Sequence, residues 1–172
     1  MIRSNVILEI SKKNIIHNYN FFNNLNKHNI CAATIKSNAY GLGAEPIYQL
    51  LLNNGCKQFF VATTKEGVAL RKKFSKGIIY ILNGIEFNEI KIFKKYKLIP
   101  ILSNLNDCLN IINKSIKYGV QINTGINRLG INYEEFEKIL FRDKNLKIIM
   151  SHLASADNKK NPYNKYQQNK FK

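Results

Sequence analysis

Short apolar runs alternate with amphipathic segments along almost the whole chain, and this alternation constrains the fold more than any other feature. Each run has the length of one strand, and most are followed by apolar residues at helical spacing. The runs are nearly continuously apolar, which is typical of parallel strands whose two faces are both covered. The sequence therefore predicts an α/β fold, built either as a doubly wound sheet or as a β/α barrel.

The boundaries of these elements follow from the apolar pattern and from capping residues. The predicted strands cover residues 6–10, 30–35, 58–62, 77–82, 98–102, 120–123 and 146–151. The predicted helices cover about 13–26, a segment after residue 45, 64–70, 86–95, 105–116, 132–141 and a segment after residue 161. Thr63 with Glu66, and Asn132 with Glu135, have the spacing of a capping box.

Polar or reactive residues stand where several of these predicted strands end. They are Lys36, Thr63, Asn83, Ser103, Asn123 and His152. The carboxyl ends of parallel strands lie on one face, and barrel enzymes build their active sites there. We therefore expect these side chains to share one end of the sheet.

The length of the chain limits how much of a barrel it can form. With 172 residues, of which 45% are hydrophobic, the chain can bury one core, so a single domain over residues 1–172 is expected. A complete barrel of eight βα units takes about 200 to 250 residues. If the fold is a barrel, we therefore expect a partial (β/α)8 TIM-type barrel of about six βα units that lacks the last strands.

Composition and charge limit the kinds of partner and the cellular location that we expect for this chain. The chain has neither an apolar run long enough to span a membrane nor a signal peptide, so we expect a cytoplasmic protein with no membrane partner. The net charge is +16, but the lysines are scattered and match no nucleic-acid-binding motif, so we expect no nucleic-acid partner. Three cysteines, Cys31, Cys56 and Cys108, lack the spacing of a zinc site or a disulfide framework.

One reactive lysine stands at the end of the second predicted strand. A partly desolvated amine at such a position can form a covalent bond with a carbonyl compound, although most lysines past a strand are merely solvated. Lys36 is followed by Tyr40, a neutral hydroxyl donor, and by Gly41 and Gly43, which let the backbone approach an anion such as phosphate. The residues alone leave both readings of Lys36 open.

The segment from Lys36 to Gly43, Lys-Ser-Asn-Ala-Tyr-Gly-Leu-Gly, resembles the signature of the alanine racemases. In that family the lysine carries pyridoxal 5'-phosphate (PLP), and the position of Leu42 is often histidine. The resemblance implies that Lys36 holds the cofactor and is the catalytic base on one face of the substrate. It also implies that Tyr40 donates a hydrogen bond to the cofactor phosphate.

A second segment, Asn-Thr-Gly-Ile-Asn-Arg-Leu-Gly from Asn123 to Gly130, is similar to the racemase segment that contributes an arginine. The resemblance implies that Arg128 contacts the phenolic oxygen of PLP and the carboxylate of the substrate. Arginine suits this role because it stays charged and presents a planar set of donors. Asn123 replaces a family aspartate, and Gln121 replaces a lysine that is often carbamylated; its carbonyl oxygen could hold Arg128.

A third segment, Ser-His-Leu-Ala-Ser-Ala-Asp from Ser151 to Asp157, resembles the family segment whose histidine lies against the cofactor ring. A single histidine after an apolar strand is often structural. Its order in the chain, after the lysine and arginine segments, favours a cofactor-binding role for His152. We expect it to position the ring by packing and assign it no proton transfer.

Taken together, the resemblance identifies the chain as the N-terminal barrel part of a PLP-dependent alanine racemase, an isomerase that supplies D-alanine for peptidoglycan. It implies a homodimer in the complete form, and a second base, a tyrosine, on a C-terminal β domain. That domain and the last barrel strands are expected to be missing from this chain, so activity of the chain alone is not expected and a separately encoded C-terminal segment would be needed. The alternative is a non-catalytic PLP-binding remnant of a broken or split gene.

Overall fold

The computed structural model describes residues 6–25, 29–112, 114–136 and 144–172. Six strands form one sheet in the order β1-β2-β3-β4-β5-β6, and all five neighbouring pairs are parallel. A doubly wound sheet would reverse its strand order at a switch point. The sequential order instead gives the partial (β/α)8 barrel that the sequence predicts.

The strands are short and the helices lie between them in the chain. The strands are β1 (Ala33–Thr34), β2 (Gln58–Val61), β3 (Ile78–Ile81), β4 (Leu98–Leu102), β5 (Tyr118–Gln121) and β6 (Leu146–Met150). The helices are α1 (Lys12–Asn24), α2 (Ala44–Asn53), α3 (Thr64–Lys73), α4 (Ile90–Tyr96), α5 (Leu105–Ile111), α6 (Tyr133–Phe136) and α7 (Pro162–Phe171), with a 3-10 turn at Phe87–Glu89. Within the described ranges, no helix is both long and apolar enough to cross a membrane.

Side-chain capping explains where several helices begin. Thr63 accepts a hydrogen bond from the N–H of Glu66, whose side chain accepts one in return, so the predicted capping box of α3 is confirmed. Asn104 and Asn161 cap α5 and α7 in the same way with their side-chain oxygens. Each cap satisfies an N–H group that has no partner within the helix.

The two faces of the sheet bury different side chains because residues alternate along each strand. On the outer face, Phe59, Ile79 and Leu98 belong to a cluster that packs against the helices. The inner face carries a separate cluster composed of Phe60, Tyr80, Ile99 and Ile101. The barrel interior is thus a packed core below the ends of the strands.

Several predicted elements differ from the structure. Residues 6–10 form no strand: they lie outside the sheet, and Ile7 is 88% exposed. A local pattern cannot supply the neighbouring strand that a β-strand needs, and here the sheet begins at β1. The strand predicted at 30–35 shortens to Ala33–Thr34, and the helix predicted at 105–116 ends at Ile111. The predicted helix 132–141 includes α6, and its remainder lies outside the described residues.

The sheet needs a residue without a side chain at one position in β5. A Cβ atom added to Gly119 would lie 2.7 Å from Cδ1 of Ile101 and would also clash with the side chain of Ile148. These isoleucines belong to the neighbouring strands β4 and β6. Gly119 therefore allows the inner faces of three strands to pack closely.

Replacing this glycine tests the packing of the barrel interior. We expect Gly119→Ala to lower the free energy of unfolding by about 1–3 kcal/mol, because one extra methyl group overpacks the site. Urea unfolding followed by circular dichroism measures the change. Lys117→Ala, two residues away at an exposed position, is the control and should have little effect. Equal stability of the two variants would show that the interior is loosely packed.

Candidate active site

The residues that the sequence predicts for the site all lie beyond the carboxyl ends of strands. Lys36 and Tyr40 follow β1, Arg128 follows β5 and His152 follows β6. Parallel pairing brings these ends to the same edge of the sheet. The strand order nevertheless separates them into two groups, one after β1 and the other after β5 and β6, with three strands between them.

The chain makes an unusual left-handed turn directly after Lys36. Ser37, Asn38, Ala39 and Tyr40 have φ angles of 52° to 55°. For residues other than glycine this conformation costs about 1–2 kcal/mol each, and it rarely occurs in a run. Such strain persists only where surrounding interactions impose it, and it is concentrated at functional sites.

Hydrogen bonds within the turn hold it in this conformation. Ala39 donates its N–H to the carbonyl of Ile35 at 2.9 Å, and Gly43 donates to the carbonyl of Asn38 at 2.9 Å. The side-chain oxygen of Asn38 accepts from the N–H of Ala44 at 2.8 Å, which joins the turn to the first residue of α2. Ala39 is buried in the outer core, so the turn is also anchored by packing.

A carboxylate from another part of the chain also holds this turn. One oxygen of Glu66 accepts from the N–H of Ser37 at 2.6 Å. The other oxygen accepts from the N–H groups of Ala62 and Thr63 at 2.7 and 3.0 Å. Glu66 thus ties the residue after Lys36 to the end of β2 as well as capping α3.

Arg128 is carried by a loop whose two ends are pinned to β5. The N–H of Asn123 donates to the carbonyl of Ile131, and the N–H of Ile131 donates to the carbonyl of Gln121, both at 2.9 Å. Gly130 has a φ of 120°, and a Cβ atom there would lie 2.6 Å from the nitrogen of Asn123. Only glycine allows the loop to close so tightly.

Asn123 and Gln121, the two departures from the family pattern, both stabilise this loop. The side-chain oxygen of Asn123 accepts from the N–H groups of Gly125 and Asn127, each at 3.1 Å. Its amide also donates to the side chain of Asn127 at 3.0 Å, which an aspartate could not do. Gln121 is 4% exposed and donates its amide to the carbonyl of Leu129 at 3.1 Å. It therefore holds the backbone beside Arg128, whereas the sequence also allowed a bond from its carbonyl oxygen to the arginine itself.

Gln167 of α7 links the Arg128 loop to the His152 segment. Its side-chain amide donates to Oγ1 of Thr124 and to the carbonyl of His152, both at 3.0 Å, and its oxygen accepts from the N–H of Ala154 at 2.8 Å. Thr124 in turn shares a 2.7 Å hydrogen bond with the hydroxyl of Ser151. Because Gln167 is 1% exposed, these bonds form away from water and fix the two segments relative to each other.

The candidate site is open to solvent. Lys36 is half-buried, whereas Tyr40, Arg128 and His152 are exposed, Tyr40 by 64%. The hydroxyl of Ser103, after β4, is buried and has no hydrogen-bond partner among the residues that the structure describes. The strand edge thus presents an amine, a guanidinium, a phenol and an unsatisfied hydroxyl, a set of donors suited to an anionic ligand with a reactive carbonyl group.

The cysteines contribute no nucleophile to this site. All three are free thiols. Burial raises the pKa of the Cys31 and Cys56 thiols, and it raises the pKa of Cys108 to about 12 with a smaller contribution from Asp107. These thiols stay protonated at neutral pH, and the thiolate is the reactive form.

Sequence reasoning missed two residues that organise the site. The spacing of Glu66 gave its capping role but no sign that it also reaches Ser37, 29 residues away. Gln167 lies among other polar residues in α7, so nothing in the pattern distinguishes it. Such long-range bonds become visible only when the strands are assembled.

Comparisons of this chain with known proteins agree on one family. Residues 10–172 match the family model described as the alanine racemase N-terminal domain. The alanine racemase of Rickettsia bellii is 40% identical over 158 residues, which is 85% of this chain and 38% of that protein. The alanine racemase of Rickettsia prowazekii is 37% identical over 177 residues, covering 96% of this chain and 44% of that protein. The chain therefore spans less than half the length of these curated relatives.

Solved structures agree on the fold. The structure of alanine racemase from Bartonella henselae, described as having covalently bound pyridoxal phosphate, has a TM-score of 0.84 and 28% identity, covering 94% of this chain and 51% of that one. The alanine racemase of E. faecalis has a TM-score of 0.83 and 22% identity, covering 94% of this chain and 47% of that one. The second supports the fold alone.

The link made by Gln167 can be tested by removing its hydrogen bonds. We expect Gln167→Leu to lower the free energy of unfolding by about 1–3 kcal/mol, because it leaves buried polar groups of the two segments without partners. Urea unfolding measures the loss. Gln168→Leu, at the exposed neighbouring position, is the matched control and should leave stability almost unchanged. Similar losses in both variants would contradict the importance of the buried amide.

Proposed function

Because this chain belongs to the alanine racemase N-terminal domain family, we propose that it forms the cofactor-binding part of a PLP-dependent enzyme that interconverts L-alanine and D-alanine. One observation carries the proposal. Lys36, a half-buried residue, stands at the carboxyl end of β1, immediately before a strained and heavily hydrogen-bonded turn. A relative of the same fold is described as having covalently bound pyridoxal phosphate.

The residues at this end of the barrel fit that cofactor. PLP has an aldehyde, a phenolic oxygen and a phosphate group, and the strand edge offers the complementary amine of Lys36, guanidinium of Arg128 and phenol of Tyr40. The buried hydroxyl of Ser103, which has no hydrogen-bond partner within the described ranges, adds an unsatisfied donor at the same edge. We therefore assign Lys36, Tyr40, Arg128 and His152 to cofactor binding, and Arg128 also to the carboxylate of the substrate.

PLP, when bound, withdraws electrons from the substrate and makes its Cα proton acidic enough to remove. In our proposal Nζ of Lys36 accepts that proton on one face of the substrate and can return it to the same face. Arg128 supplies a fixed positive charge toward the phenolic oxygen and the substrate carboxylate. His152 restricts the orientation of the ring by packing, and Tyr40 donates to the phosphate.

Inversion of the substrate needs a second acid or base on the opposite face. We propose that this group, a tyrosine, comes from a C-terminal β domain outside residues 1–172, supplied either by further chain or by a separate segment, and that the complete form is a homodimer in the cytoplasm that supplies D-alanine for peptidoglycan. Residues 1–172 would then be one incomplete barrel domain. The exposed apolar side chains of Phe22 and Ile30, beside the open edge at β1, support further chain completing the barrel.

A second candidate function is a PLP-binding remnant without racemase activity. One observation favours it: three of the four assigned site residues are exposed to solvent. A site open to water weakens the electrostatic interactions on which cofactor chemistry depends. The two candidates share the cofactor and differ in whether a completing segment restores turnover.

The cofactor assignment predicts one labelled lysine. After incubation with PLP and reduction by borohydride, peptide mapping should find the pyridoxyl group on Lys36, and Lys36→Ala should lose it. Lys65→Ala, which removes a different lysine in α3, is the control and should keep the label. A label on another lysine, or retained in Lys36→Ala, would show that the assignment is wrong.

The need for two bases predicts that the chain alone does not racemise alanine at a useful rate. General acid–base assistance contributes about 100-fold to 10,000-fold per group, so the missing base should cost at least that much. The assay measures D-alanine formed from L-alanine with PLP, using the chain alone and the chain mixed with the C-terminal half of a related racemase. Robust turnover by the chain alone would refute the two-base argument, and no turnover in the mixture would favour the remnant.

A further inference from the structure

The backbone on both sides of Lys36 is fixed by hydrogen bonds. The peptide group before Lys36 is held through the carbonyl of Ile35, which accepts from the N–H of Ala39 at 2.9 Å. The peptide group after Lys36 is held through the N–H of Ser37, which donates to Glu66 at 2.6 Å. The first bond is local, whereas the second spans 29 residues and connects two βα units. Together they restrict the backbone dihedral angles φ and ψ of Lys36, which determine the direction in which its side chain leaves the backbone.

We propose that Glu66 is a positioning residue for Lys36: its carboxylate clamps the left-handed turn to the end of β2 and so fixes the direction of the catalytic amine. The proposal deepens the proposed function and rests on it in one respect, that Lys36 is the residue that reacts with the cofactor. Glu66 itself touches neither cofactor nor substrate in this role. It acts through the backbone of Ser37.

The carboxylate is needed because the clamp uses both of its oxygens. One oxygen accepts from Ser37, and the other accepts from Ala62 and Thr63. A glutamine has one acceptor oxygen, and its amide nitrogen would face an N–H donor at the other position. Glu66→Gln therefore cannot keep both halves of the clamp, although its size is almost unchanged.

The chain contains a matched control for this substitution. Glu89 also caps a helical segment, and a single oxygen of its carboxylate accepts both from the N–H of Glu86 at 3.1 Å and from the hydroxyl of Thr64 at 3.0 Å. A glutamine at this position keeps that oxygen. Glu89→Gln removes the same charge as Glu66→Gln without disturbing the turn at Lys36.

A second variant separates the clamp from the helix cap. Thr63→Val removes the hydroxyl that accepts from the N–H of Glu66 at 3.3 Å and so weakens the capping box of α3. It leaves both oxygens of Glu66 and the bond to Ser37 in place. If an effect on the turn at Lys36 arises from the loss of helix capping, Thr63→Val should show it as well. If it arises from the loss of the clamp, only Glu66→Gln should show it.

The experiment measures two properties of the 172-residue chain and its three variants. The first is the rate at which PLP labels Lys36, trapped by borohydride and followed by peptide mapping. The second is hydrogen exchange of the N–H groups of residues 37–43, measured without cofactor by mass spectrometry and compared with exchange in β3. We expect Glu66→Gln to slow labelling and to speed exchange in the turn by about tenfold or more, the effect of losing one charge-assisted hydrogen bond. Thr63→Val and Glu89→Gln should match the wild type in both.

The outcomes distinguish this proposal from the proposed function. If PLP does not label Lys36 in the wild-type chain, the cofactor assignment fails, and the exchange measurement still tests the clamp. If labelling and exchange in Glu66→Gln equal those of the wild type, or if Thr63→Val has the same effects, the clamp is refuted. Should Glu66→Gln fail to fold, exchange of the Ser37 N–H in the wild type decides the question, because exchange at the rate of an unprotected amide would show that the bond is not formed.

Discussion

Six parallel strands share one continuous hydrogen-bonded ladder, and every residue of the candidate site depends on it. No single loop within the described part of the chain carries the lysine, the arginine and the histidine, because more than 80 residues separate Lys36 from Arg128. The ladder instead aligns the ends of the strands, so that each short connection starts at the same edge. The relative positions of the candidate site residues therefore depend first on strand register and only second on local motifs.

Polar side chains from outside the recognisable motifs then refine what the ladder provides. Glu66 connects the end of β2 to the turn at Lys36, and Gln167 connects the segments that follow β5 and β6. Both side chains use every hydrogen-bonding atom against backbone or hydroxyl groups, which gives them fixed positions. In each of the two groups of candidate site residues, one side-chain amide or carboxylate thus bonds to two segments at once and restricts their relative motion.

The alternation of apolar runs predicted an α/β fold with parallel strands, because strand length and parallel pairing follow from burial on both faces. The choice of a barrel over a doubly wound sheet came from the family resemblance. β4 agreed in both bounds, and the cap at Asn104 was also evident from sequence. The exposed apolar run at 6–10 could not be distinguished from a strand in the sequence. Its apolar pattern is a local property, whereas its exclusion from the sheet depends on the rest of the fold. The left-handed turn was equally hidden, because Ser37 and Ala39 have no intrinsic preference for positive φ and adopt it only under tertiary constraint.

Gln167 has a consequence for the order in which the molecule can be assembled. Chains are synthesised from the amino terminus, and local units can form before the rest has been made. The hydrogen bonds that hold the turn at Lys36 can form once Glu66 has emerged, whereas those that join the segments of Arg128 and His152 must wait for α7. The turn at Lys36 can therefore be fixed long before the segments of Arg128 and His152, and the nascent protein passes through a stage in which only one of the two groups of candidate site residues is held in place.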